Sequence, residues 1–150
     1  LDFPSPHLLA YPPEATVAEK FQAIVTLDIA NSRMKDFYDI WTLAQKKDFD
    51  GKVLSQSIAA TFERRKTPMP TDAPTGLTKV FAEDRAKLTQ WNAFLRKGRL
   101  DGTAPSLAEA IAFLTDFLMP PTVAAAGKKP FAMHWPAGGP WQADPDKKRR

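Results

Sequence analysis

The chain has 150 residues, 43% hydrophobic and 25% charged, with 10 Phe and 4 Trp, which is enough apolar material for one core of ordinary size. It holds no Cys, so disulfides and cysteine-ligated zinc are excluded. The net charge of +4 is matched by Lys147, Lys148, Arg149 and Arg150 at the extreme C-terminus, so the remainder is close to neutral and is not a basic platform.

Leu1 to Pro13 carries Pro4, Pro6, Pro12 and Pro13 around the apolar segment His7–Tyr11, a pattern that suits a short edge strand or an extended arm. His7 and His134 are too far apart in sequence, and too isolated, to argue for a metal site. Pro12 and Pro13 open a first helix with Glu14 in its first turn, running to about Leu27, with Val17, Phe21, Ile24 and Leu27 as the buried row. Lys20 falls beside that row, near the seam with the next element. A short linker, Ile29–Ser32, follows, and Asn31 and Ser32 are good caps for a second helix that ends near Lys46 or Lys47.

The second helix has the clearest pattern in the chain. Met34, Phe37, Tyr38 and Trp41 recur at i, i+3, i+4 and i+7, which is one buried helical face. The other face carries Lys35, Asp36, Asp39 and Thr42. Asp36 and Asp39, one turn apart, project the same way and need a cation, which Lys20, Arg33, Lys35 or an oxygen-ligated metal ion could supply. The plainer reading is a solvated face, where each such pair contributes only about 0.2–0.5 kcal/mol.

Asp48 or Asp50 can cap a third helix over Gly51–Arg65 with Val53, Leu54, Ile58 and Phe62 as its apolar row. The basic run Arg64-Arg65-Lys66 at its end suits either phosphates or the helix macrodipole. Thr67–Gly76, with three prolines, reads as a loop. A fourth helical region spans Leu77–Lys97, broken near Glu83 and Asp84, and buries Leu88, Trp91 and Leu95. Ser106 and Glu109 form a capping box for a fifth helix that Pro120 and Pro121 end. From Pro120 onward, six prolines and Gly138-Gly139 mark an extended, flexible tail whose Phe131, Trp135 and Trp141 dock on the helices or a partner. The organisation expected is an arm at 1–13, a helical domain at 14–119 and a Pro-rich tail at 120–150. No signal-peptide pattern and no apolar run long enough for a bilayer are visible, so a cytoplasmic setting without a membrane partner is expected.

The runs PPEATVAEKFQAIV and SRMKDFYDIW resemble the C-terminal half of the nucleotidyltransferase toxins of AbiEii/AbiGii type, over roughly Leu1 to Leu95. Glu19 and Lys20 match that family's first helical motif. Arg33, Lys35, Asp36 and Asp39, with Phe37 and Tyr38 between them, match its Arg-x-Lys-Asp-x-x-Asp motif. The resemblance implies a mainly α fold, a four- to five-helix bundle with a short N-terminal extended segment, corresponding to the C-terminal half of an α/β nucleotidyltransferase. It implies transfer of a nucleotide from an NTP to an acceptor such as RNA, in a bacterial toxin–antitoxin or abortive-infection system with an antitoxin partner. Lys20, Asp36 and Asp39 become the catalytic candidates, Arg33 and Lys35 the substrate-binding ones. The family's Gly-Ser turn and Asp-x-Asp pair have no counterpart before Lys20, since the first nineteen residues contain no Gly. Magnesium is therefore expected only in a complete family member, with no metal ligand here, and the chain reads as a fragment inactive alone. The rival reading is a non-catalytic helical interaction module or remnant.

Overall fold

The computed structural model describes residues 12–27 and 33–144. Helix α1, Pro13–Leu27, starts on the proline whose missing N–H a first helical turn does not need, and buries Val17, Phe21 and Ile24 completely. Helix α2, Met34–Lys46, buries Met34, Phe37, Ile40 and Ala44. The centre of its apolar face is therefore rotated from the expected row: Ile40 is inside, while Tyr38 and Trp41 are half-buried and flank the core against Phe94 and Phe113, at ring-centroid separations of 5.7 and 6.5 Å. The expected caps Asn31 and Ser32, the His7 arm and the Lys147–Arg150 run lie outside the described residues.

Strand β1, Phe49–Asp50, leads directly into α3, Gly51–Arg64, whose N-cap Asp50 accepts a hydrogen bond from the Lys52 N–H at 2.9 Å. Leu54, Ile58 and Phe62 are buried as expected, but Val53 is 41% exposed. A 3-10 turn at Thr75–Leu77 and the short α4, Lys79–Glu83, precede α5, Arg85–Lys97. The break falls at Asp84, whose carboxylate caps α5 through the Lys87 N–H at 3.0 Å. Trp91 and Leu95 are buried, whereas Leu88, expected beside them, is 36% exposed. The fold is mainly helical, as the patterning predicts, with six helices among the described residues.

Helix α6, Leu107–Ala126, opens on the predicted Ser106–Glu109 capping box but does not stop at Pro120 and Pro121; it continues through both. Each proline lacks the N–H that would bond the carbonyl four residues earlier. Pro120 frees the carbonyl of Asp116, an exposed position that water can reach. Pro121 frees the carbonyl of the buried Phe117, and the indole N–H of Trp141 takes it at 3.0 Å. The Pro121 carbonyl itself accepts from Ser55 Oγ at 2.9 Å. With its prolines accommodated, α6 is 20 residues long with a mean hydropathy of 1.3 over its most apolar window, long and apolar enough by length and composition to cross a membrane, contrary to expectation. Leu107, Ala110, Ile111, Leu114, Phe117 and Leu118 of this helix are nevertheless buried in the bundle, where α6 packs on α2, α3 and α4.

Beyond α6 the chain folds back. Strands β2, Met133–Trp135, and β3, Gln142–Ala143, join β1 in an antiparallel sheet of order β1-β2-β3, with Phe49 opposite Trp135 and Met133 opposite Ala143. Trp135 is 1% exposed, donates its indole N–H to the Ala44 carbonyl at 2.8 Å, and packs against Phe113, Phe117 and Trp141. The Gly138 N–H reaches the same Ala44 carbonyl at 2.9 Å, so the returning chain caps the C-terminal end of α2. Gly139, at φ +74°, lies so close to the Trp135 ring that a Cβ would sit 2.5 Å from it. Of the two fates open to the aromatic residues of residues 127–144, docking on the helices is the one observed.

Three helices end alike. Lys66, Arg99 and Lys128 take left-handed backbone conformations, φ +51°, +56° and +54°, just past α3, α5 and α6. The following N–H groups of Thr67, Leu100 and Lys129 each bond back to a carbonyl five residues earlier, at 2.8 to 2.9 Å.

Candidate functional site

The short link between α1 and α2 makes them neighbours, and the seam between them gathers the charges picked out by the sequence. Lys20, on α1, sits next to the buried Phe21, so its side chain leaves the core edge toward α2. Its Nζ lies 3.0 Å from Asp39 Oδ2 and 3.5 Å from Asp36 Oδ1. Lys35 Nζ reaches the same Asp39 oxygen at 2.6 Å. Arg33 Nε lies 3.3 Å from Asp36 Oδ2, an oxygen that is buried without an aligned hydrogen bond. All five predicted residues therefore form one cluster, in which three cations face two carboxylates.

Burial grades them. The Asp36 side chain is only 4% exposed, Lys20 and Asp39 are each 25% exposed, and Arg33 and Lys35 are largely in solvent. Asp36 is not part of the solvated face that helix periodicity allows: Lys20 and Arg33 offset the cost of drawing a carboxylate inward. The exposed Lys35–Asp39 pair adds about 0.3–0.5 kcal/mol. The arrangement holds the Lys20 ammonium in a fixed place between the two carboxylates, with a quarter of the side chain exposed.

Glu19 points elsewhere. Its carboxylate is gripped by Arg64, and by Arg65 Nε at 2.9 Å, at the end of α3. Two members of the basic run at 64–66 are thus partners of α1 rather than open phosphate contacts. Consecutive residues of α1 are held from both sides, Glu19 by α3 and Lys20 by α2, which fixes the rotation of α1 about its axis. Nothing in the local pattern announces Glu19–Arg65, since the residues are 46 apart in sequence.

A sequence model of the nucleotidyl transferase AbiEii toxins, type IV toxin–antitoxin systems, matches residues 1–113. The chain belongs to this family. Both motifs that suggest the kinship, Glu19-Lys20 and Arg33 to Asp39, lie inside the matched span. No curated protein and no solved structure matches the chain. Membership in the AbiEii family gives the protein a nucleotidyltransferase-type toxin character, with an antitoxin as its system counterpart. The magnesium that nucleotidyl transfer implies does not fit the residues of this cluster: three carboxylate oxygens of Asp36 and Asp39 already face ammonium or guanidinium groups. Among the described residues no group of three or more His, Cys, Asp or Glu is arranged to hold a metal ion. Clefts of about 390 Å³, lined by residues including Asn92, Arg96 and Asp101, and about 220 Å³, lined by residues including Lys52 and Lys129, share no residue with the cluster.

Proposed function

We propose that the α1–α2 seam is the helical wall of a nucleotide-transfer site, in which Lys20 binds triphosphate oxygens as a point charge. Asp36 and Asp39 orient that ammonium, and Asp39, the more open of the two, also faces the acceptor hydroxyl. Arg33 and Lys35 supply flanking charge to the phosphates. The acceptor is RNA, the setting the cytoplasm of a bacterium, and the system one of abortive infection. The metal-bound part of the chemistry, including magnesium, is supplied by an acidic pair outside this cluster, as the family resemblance implies. The observation that carries this reading is the convergence of the Lys20 ammonium on Asp36 and Asp39 within 3.5 Å.

In a toxic member of the family, replacing the residues equivalent to Lys20 by Met and Asp39 by Asn is expected to abolish toxicity and nucleotide incorporation while leaving the protein folded. Full toxicity in both variants would remove the catalytic assignment. A second reading, a non-catalytic module whose charges join α1 to α2, draws on the same ion pairs and on neither cleft including these residues. It is favoured if the two substitutions lower the melting temperature without touching activity.

A further inference from the structure

The first turn of α3 and the chain just past α6 enclose a cleft of about 220 Å³ that the transfer site does not use. Lys52, Lys128 and Lys129 line it, with Gln56 and an apolar floor that includes Ala125 and Phe131. The Phe131 ring is held edge-on to Trp141, with centroids 4.9 Å apart. No carboxylate lines the cleft, and none of the ion pairs among the described residues reaches the three lysines. Ser55, also in the wall, already donates its hydroxyl to the Pro121 carbonyl.

Helix ends explain two of these cations but not the third. Lys128 and Lys129 follow the C-terminus of α6, where positive charge complements the macrodipole, as at Lys66 and Arg99. Lys52 stands in the first turn of α3, where the macrodipole opposes a cation, and it faces two further lysines across the cleft. The closest carboxylate in sequence, Asp50, uses Oδ1 to cap the Lys52 backbone N–H. Three like charges gathered over an apolar floor, one of them against its own helix dipole, are relieved by a multiply charged anion. The floor favours an anion that carries an organic body. A volume below the roughly 300 Å³ of sites that enclose a whole drug-sized ligand leaves part of that body outside.

We propose that this cleft binds a phosphate group attached to a sugar or base, as in a nucleotide or one unit of a nucleic-acid strand. The phosphate sits among Lys52, Lys128 and Lys129, and the attached apolar face lies on Phe131. The proposal shares no residue with the transfer site and stands or falls separately from it.

The test uses the full chain carrying Lys20→Met, so that the transfer site adds no phosphate binding, at low salt, titrated with inorganic phosphate, with ATP, and with a fluorescein-labelled eight-nucleotide single-stranded RNA. The double variant Lys52→Glu/Lys129→Glu is compared with Lys97→Glu, a charge reversal on the last turn of α5, and circular dichroism checks that each is folded. ATP or the RNA is expected to bind below about 100 µM, as phosphate-directed binding does, and to weaken at least about tenfold in the double variant but less than about twofold in Lys97→Glu. Tighter binding of ATP assigns a free nucleotide, and tighter binding of the RNA assigns a strand. Three results overturn the proposal: no probe binding below about 1 mM, inorganic phosphate binding as tightly as the organic probes, or an affinity unmoved by the double variant.

Discussion

The α1–α2 seam and the returning C-terminal segment both attach to α2, yet by opposite means. At the seam, charged groups meet at 2.6 to 3.5 Å in a partly wet setting, and only Asp36 is withdrawn from water. At the C-terminal end, Trp135, Phe117, Trp141 and Phe131 interlock with centroids 4.7 to 5.9 Å apart, and two indole N–H groups satisfy carbonyls that helix geometry leaves open. The lesson is that the clasp holds the bundle closed, while the seam orients side chains at modest cost and modest gain. A site that must bind an anion is better built from the second kind of contact, because its charges remain available to a ligand.

Removing the anchor of the clasp gives the largest break in this comparison. Trp135→Ala loses a fully buried ring and the bond to the Ala44 carbonyl, and is expected to cost about 3–5 kcal/mol in denaturant unfolding. Trp141→Phe is next: the Phe117 carbonyl loses its donor, at a cost of about 1–3 kcal/mol. Pro121→Ala returns a backbone N–H to that carbonyl, so the pair Trp141→Phe/Pro121→Ala should be less destabilised than the sum of the two single changes. An additive double-mutant cycle would show that Trp141 does not compensate for the proline.

At the seam, Asp36→Ala removes one of the two carboxylates facing Lys20 and the one facing Arg33 Nε, and is expected to cost about 1–2 kcal/mol. Raising the salt concentration should shrink that cost while leaving the Trp135→Ala cost unchanged, which sharpens the contrast directly. The smallest effect belongs to the α6 cap. The Ser106 backbone N–H, and then its hydroxyl, hold the Glu109 carboxyl below its ordinary value of 4.5. A folded-state value below the unfolded one adds stability that is present above about pH 4.5 and is lost as the pH falls through the folded value. The stability gap between the native chain and Glu109→Gln should therefore be full at neutral pH and close on acidification; a gap that is flat with pH would show that the cap acts without its charge.

Much of the bundle is legible because helices announce themselves locally. The starts at Pro13 and Gly51, the Ser106 cap of α6, the break at Asp84 and the burial of Val17, Phe21 and Ile24 on α1 follow from capping residues and 3.6-residue spacing. The Arg33–Asp39 cluster is legible for the same reason, its acids being one turn apart. Less visible are contacts between residues far apart in sequence: the Glu19 grip by Arg64 and Arg65, the inward turn of Asp36, and the exposure of Val53 and Leu88. Strands of two or three residues are too short to show alternation, so the small sheet has no signature of its own.

Residue order by itself determined the mainly helical class, the helix starts and the placing of Lys20 near two acids, because capping, periodicity and short linkers act within a few residues. Tertiary structure decided how far α6 runs and where the last eighteen described residues go, from 127 to 144. Two prolines in a row forecast a helix end only while the carbonyls they orphan have no other donor. Trp141 returns from twenty-four positions away to bond the buried one, and a partner at that distance exists only in the folded chain.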